Sequence, residues 1–110
     1  MNYRKSIGEL GENLAGEILK QKGYKIAERN YMNRSGEIDI IAMREKTIHF
    51  IEVKARTNHV NGYPAEAVNK TKQKKIRSTA AYYLQKNNLN NCDISFDVFE
   101  VDINHIENCF

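Results

Sequence analysis

Asp39, Glu52 and Lys54 are the residues of this sequence whose types and spacing could do chemistry. They lie in two β-rich strings, Gly36-Glu37-Ile38-Asp39-Ile40-Ile41-Ala42 and Ile48-His49-Phe50-Ile51-Glu52-Val53-Lys54. Side chains alternate along a strand, so Glu37, Asp39, Ile41 and Met43 are expected on one face of the first string. Ile48, Phe50, Glu52, Lys54 and Arg56 share one face of the second. The opposite faces, with Ile38, Ile40 and Ala42 on one string and His49, Ile51, Val53 and Ala55 on the other, are almost wholly apolar. They belong against a helix. Arg44-Glu45-Lys46 is short enough to close a hairpin. With the turn centred between Glu45 and Lys46, Met43 faces Ile48, Ile41 faces Phe50, Asp39 faces Glu52 and Glu37 faces Lys54. A slip of one residue would mismatch the apolar pairs and separate Asp39 from Glu52. The favoured register brings two carboxylates side by side, with Cβ atoms about 4.5–5.5 Å apart. Their repulsion costs stability, and a divalent cation between them reverses its sign.

Hard oxygen ligands of this kind suit Mg²⁺ or Mn²⁺, which take few protein ligands and keep waters or phosphate oxygens. Such an ion acidifies a bound water and neutralises charge on a phosphate. Lys54 beside it can position or deprotonate that water, or steady transition-state charge. The plainer reading is an ion pair of Lys54 with Glu37 or Glu52 at a sheet end. Glu12 borders the apolar stripe of a helix in which Gly8, Gly11 and Gly16 permit close backbone approach, so it can reach the same edge. A solvated helix glutamate is its alternative. Lys72 and Gln73 precede Ile76 by four and three residues and extend a buried helix stripe inwards, as phosphate contacts or as side chains snorkelling at the core rim.

These groups must be positioned by the elements around them. Residues 4–22 read as a helix, with Ile7, Leu10, Leu14 and Ile18 as its stripe, widened by Ala15 and Leu19, and Gly23 as its stop. Tyr24 to Met32 reads as a strand, and Asn33-Arg34-Ser35-Gly36 as a turn. Glu37 to Met43 and Thr47 to Arg56 form the hairpin, and residues 57–64 a loop that, with Arg56, His59 and Tyr63, lies near these groups, as a cover over DNA or as a plain surface loop. A second helix starts at Ala65 or Thr71 and runs to Lys86, burying Tyr83 and exposing Tyr82. Ser95 to Val101 reads as a last strand. The order α-β-β-β-α-β implies an α/β fold, a central mixed β-sheet flanked by helices.

The 110 residues suit one domain, with a core at about 4–101 and an acidic tail at 102–110. No apolar run approaches the roughly 20 residues of a membrane helix. No secretory signal follows Met1, and Cys92 and Cys109 make no disulfide framework, so a reduced cytoplasmic setting is expected. Zinc spacing, phosphate-binding loops and serine elbows are missing. The net charge of +3 is uneven. Residues 64–91 hold Lys70, Lys72, Lys74, Lys75, Arg77 and Lys86 against Glu66 alone, whereas residues 92–110 hold five acids and no Lys or Arg. The basic segment is either a polyanion contact or a solvated helix face. The acidic one is a candidate mask for it.

The combined pattern resembles the YraN family of small bacterial proteins and, more distantly, archaeal Holliday-junction resolvases and the PD-(D/E)xK nuclease superfamily. The matching strings are Gly11-Glu12 with Ala15, Gly23-Tyr24, Arg29-Asn30-Tyr31, the stretches 36–42 and 50–56, Lys72-Gln73 and Phe96-Asp97-Val98. The resemblance implies a restriction endonuclease-like core. It implies Asp39 and Glu52 as metal ligands, helped by the Val53 carbonyl, and Lys54 as the catalytic lysine. Glu12 would act through water or a second metal. Lys72 and Gln73 match the helix residues that often complete such sites. Ile38 stands where the wider superfamily has proline, as in the Gly-Glu-Ile-Asp pattern of the YraN family.

The expected function is a Mg²⁺- or Mn²⁺-dependent endonuclease acting on DNA, with branched or structured DNA among the candidates. Lys72, Gln73, Lys75, Arg56 and Arg34 are the candidate nucleic-acid contacts. The alternative is a catalytically silent module of the same fold that binds nucleic acid or a partner. A homodimer suits either reading, because one small copy covers few base pairs.

Overall fold

The computed structural model describes residues 3–56 and 68–110. The elements are α1 (Tyr3–Gln21), β1 (Lys25–Asn33), β2 (Gly36–Arg44), β3 (Thr47–Arg56), α2 (Lys70–Lys86) and β4 (Asp93–Asp102). The order is the expected one, and the fold is α/β. The sheet runs β1-β2-β3-β4. Strands β1, β2 and β3 form an antiparallel meander, and β4 lies parallel to β3 after the crossover that carries α2. The sheet is therefore mixed, as expected of a restriction endonuclease-like core. No helix among the described residues is long and apolar enough to cross a membrane. The expected loop at 57–64, with His59 and Tyr63, lies outside the described residues.

One core layer packs under each helix. On the α2 side, Ile38, Ile41, Ile48 and Phe50 meet Ile76, Ala80 and Tyr83. Tyr31 meets Tyr83 edge to face, with ring centroids 5.1 Å apart. Tyr82 is exposed, as its place on the helix implies. On the α1 side, Ile40, Ala42 and Ile51 meet Ala15 and Leu19. Here the expected stripe is corrected. Leu10, Leu14 and Ile18 are 46%, 40% and 41% exposed, and of the expected stripe Ala15 and Leu19 face the sheet, joined by Gly11. Small residues win that face because they let the helix descend onto β3.

Gly11 shows how close the approach is. A Cβ placed there would lie 2.5 Å from the Ala55 Cβ, while one at Gly16 would meet nothing within 4 Å. Both changes to alanine gain up to about 1 kcal/mol of helix propensity. At Gly11 the clash is with a side chain that has no rotamer to escape into, and overpacking costs about 1–3 kcal/mol. Gly11→Ala is therefore expected to lower the urea midpoint and Gly16→Ala to raise it, with unchanged slope. Gly23 ends α1 with φ +92°, and the Tyr24 N–H donates to the Leu19 carbonyl at 2.9 Å.

Candidate active site

The β2–β3 ladder has the expected register from Arg44–Thr47 to Ile40–Ile51. It then stops. β2 remains paired to β1 as far as Gly36–Asn33, and β3 to β4 as far as Arg56–Asp102. The sheet thus forks, and Asp39 and Glu52 stand at the opening. Their expected place as a further rung is corrected: the Val53 N–H donates to Asp39 Oδ2 at 2.8 Å, so a carboxylate takes the bond that a backbone carbonyl would accept. Alternation also breaks here. Ile38 packs on the α2 side and Ile40 on the α1 side, although a regular strand would place both on one face. Opposite Asp39, Asn30 adopts a left-handed φ of +52°. The two irregularities turn Asp39 towards β3 along the sheet, in place of either face.

Glu52 follows Phe50 on the α2 side and is only 5% exposed. Its Oε2 lies 3.6 Å from Lys72 Nζ, and its Oε1 is buried without a hydrogen-bond partner. Burial and then the Asp39 charge push its carboxyl up to about 7, against the pull of Lys72. Glu12 comes from α1, and its Oε1 is likewise buried and unpartnered. Burial and then Asp39 also raise its pKa. Lys54 is pushed down, first by burial and then by Lys72, although Glu52 and Asp39 oppose the shift. The fork therefore lets groups from both faces of the sheet act on Asp39.

The first turn of α2 completes the surroundings. Asn69 caps it, its Oδ1 accepting from the Lys72 N–H at 2.8 Å. Glu37, Asp39 and Glu52 then face Asn69, Thr71, Lys72 and Lys75 across a cleft of about 420 Å³. The positive end of the α2 dipole lies at this cleft, which favours an anion.

Of the residues singled out from sequence, the fold gathers Asp39, Glu52, Lys54, Glu12 and Lys72, with Lys75 on the cleft wall. Val53 contributes its N–H to Asp39. Gln73 borders the neighbouring depression and donates to the Val68 carbonyl at 2.9 Å. Arg56 pairs with Glu100, Nε to Oε1 3.9 Å, at the far end of β3. Arg34 is exposed in the β1–β2 turn. Asn69 and Thr71 were not foreseen; an Asn immediately ahead of the helical stretch is the signal that marks the cap. Glu37 was foreseen opposite Lys54 but pairs with Met32 on β1.

The donor set can be tested against a cation. Two carboxylates at the fork, with buried unpartnered oxygens on Glu52 and Glu12, match the few hard ligands that Mg²⁺ or Mn²⁺ takes. Among the described residues no three His, Cys, Asp or Glu side chains converge as a complete ligand set. Asp39 and Glu52 are the two side chains at the fork whose chemistry fits such an ion, with the buried Glu12 oxygen beside them.

Sequence comparison agrees with the motif pattern. A profile of the uncharacterised protein family UPF0102 matches residues 11–101. A UPF0102 protein of Clostridioides difficile is 52% identical, covering 96% of this chain and 97% of its own length. One from Alkaliphilus metalliredigens is 45% identical over 96% of this chain and 98% of its own. Another from Caldicellulosiruptor saccharolyticus is 44% identical over the full length of both. The chain belongs to this family, UPF0102, the YraN family that its motifs resemble.

Proposed function

We propose that this chain is a divalent-metal-dependent endonuclease that hydrolyses phosphodiester bonds in DNA. The observation that supports it most is the forked strand pair. It holds two carboxylates together against their repulsion, buries unpartnered oxygens beside them, and adds two lysines at the mouth of a helix N-terminus. That arrangement costs stability when empty, and a bound cation would relieve the cost, which supports the reading.

Asp39 and Glu52 would hold Mg²⁺ or Mn²⁺, with Glu12 contacting it through water. When bound, the ion supplies an acidified water and charge neutralisation at the phosphate. The remaining work belongs to the chain's own residues. Lys54, with its lowered pKa, can take or give a proton at Nζ nearer neutrality than an exposed lysine. Lys72 and Lys75 bind phosphate oxygens across the cleft, and the α2 N-terminus adds its dipole. Burial of Glu52 keeps bulk water off its own carboxylate.

The test is incubation with duplex, single-stranded, flap and four-way junction DNA, each with Mg²⁺ and with Mn²⁺. Metal-dependent cleavage of one class is expected. Salt-dependent binding with no cleavage, together with no heat of Mn²⁺ binding, would overturn the nuclease and leave a binding module.

A further inference from the structure

Glu52 walls two depressions. The second, of about 260 Å³, continues from the cleft across β3 and β4. Its floor is aromatic. Buried Phe50 and Phe96 stack with ring centroids 5.5 Å apart and planes at 25°. Phe96 is nevertheless 41% exposed, and Val98 beside it 37%. Across the depression stands α2, with the Arg77 guanidinium 4.8 Å from the centre of the Phe96 ring. From Arg77 a shallow surface runs along Lys74 and Lys70.

A cleft whose α2 wall carries Lys72 and Lys75, an exposed ring and a basic ridge thus follow one another across a single face. A nucleic-acid strand presents matching parts in the same order: a phosphate at the cleft, a flat base over the ring, and further phosphates along the ridge. A base within continuous duplex has both faces stacked and none to offer, whereas an unpaired base has one. Arg77 is exposed and lifts from Phe96 readily, because a solvated cation–π contact is weaker than stacking of a base. Once displaced it lies beside the phosphates of the ridge.

We infer that the Phe96 depression receives an unpaired nucleobase next to the phosphate in the cleft, so that the substrate class is single-stranded or branch-point nucleic acid. The inference rests on the nuclease reading for the word substrate, and on the second depression alone for the base.

The test measures binding of the full chain, without divalent metal, to two labelled DNA oligonucleotides of equal length. One carries bases and the other is abasic, so their phosphates are the same. The base-bearing strand is expected to bind on the order of tenfold tighter. Phe96→Leu, which keeps apolar volume and removes the ring, erases the difference, and Phe96→Tyr keeps it. Equal affinities for the unaltered chain, a preference that survives Phe96→Leu, or no binding of either strand overturns the inference. So does a dimer in sedimentation that Phe96→Leu dissociates, because a second copy would then cover the ring. Asp39→Asn separates the two readings: it is expected to abolish cleavage and keep the base preference. Cleavage without base preference leaves the nuclease and removes the base pocket. Base preference without cleavage by the unaltered chain does the reverse.

Discussion

Asp39→Asn is expected to lower metal-dependent DNA cleavage by about 10³-fold while leaving the protein folded. The expectation follows from where Asp39 sits. Its Oδ2 accepts the Val53 N–H, and an asparagine oxygen accepts that bond equally well. The fork is therefore preserved, and far-UV circular dichroism should not change. What is removed is one of two negative charges at the fork, and with it the capacity to hold a hard cation between them. Removal of a single group that stabilises transition-state charge commonly costs 10²–10³-fold, and loss of the ion adds to that. Calorimetry should show the heat of Mn²⁺ binding disappear in the same variant. Lys54→Ala is expected to cost about 10²-fold in cleavage and leave the heat of Mn²⁺ binding in place, because Lys54 handles a proton and not the ion. Cleavage that persists unchanged in both variants would move the activity away from this fork altogether.

Glu52 carries the second large effect, and it is read in stability. Its carboxyl titrates near 7 in the folded chain against an ordinary 4.5. Below about pH 4.5 it is neutral whether the chain is folded or not, and contributes nothing. Between 4.5 and 7 the unfolded chain ionises it and the folded chain does not, so unfolding is favoured progressively. Above 7 the penalty is complete, on the order of 3 kcal/mol. Glu12 is shifted in the same direction and steepens the trend. The Tm of the metal-free protein is expected to fall by about 10 °C between pH 5 and pH 8. Glu52→Gln flattens that fall and melts higher than the unaltered chain at pH 8. Lys72 loses an ion-pair partner in this variant, but it is partly solvated and tolerates the loss. Millimolar Mg²⁺ or Mn²⁺ raises the Tm of the unaltered chain at pH 8 and leaves that of Glu52→Gln unmoved. An identical pH slope in the two proteins would assign the titration to another group.

The hairpin register was legible because the turn length and the apolar pairs Met43–Ile48 and Ile41–Phe50 leave a single solution. The end of the ladder was not. It depends on whether the Val53 N–H is taken by a backbone carbonyl or by Asp39, and both choices look alike in an alternating string. The face of α1 misled for a different reason. Helical spacing ranks Leu10, Leu14 and Ile18 by hydrophobicity, whereas the sheet selected Gly11 and Ala15 by size. Charge counting had a similar limit. The acids after residue 91 suggest a mask for the basic helix, yet Asp97 accepts from Ser95 and pairs with His49 at 2.7 Å, and Glu100 pairs with Arg56. For Asp97 and Glu100, then, side chains of β3 supply the partners. Tyr83, by contrast, was placed correctly, because a large ring beside Ala80 and Ile76 has one dry direction to point.

The fork has a mechanical meaning as well. β1–β2 and β3–β4 are two ribbons that share five rungs and then diverge. Asp39 and Glu52 sit just beyond the last rung, on opposite arms. Like charges there repel across the opening, and on the proposed reading a cation would offset that repulsion. The Val53 N–H on Asp39 Oδ2 spans the opening, so a single bond from backbone to carboxylate ties the two half-sheets where the ladder has ended.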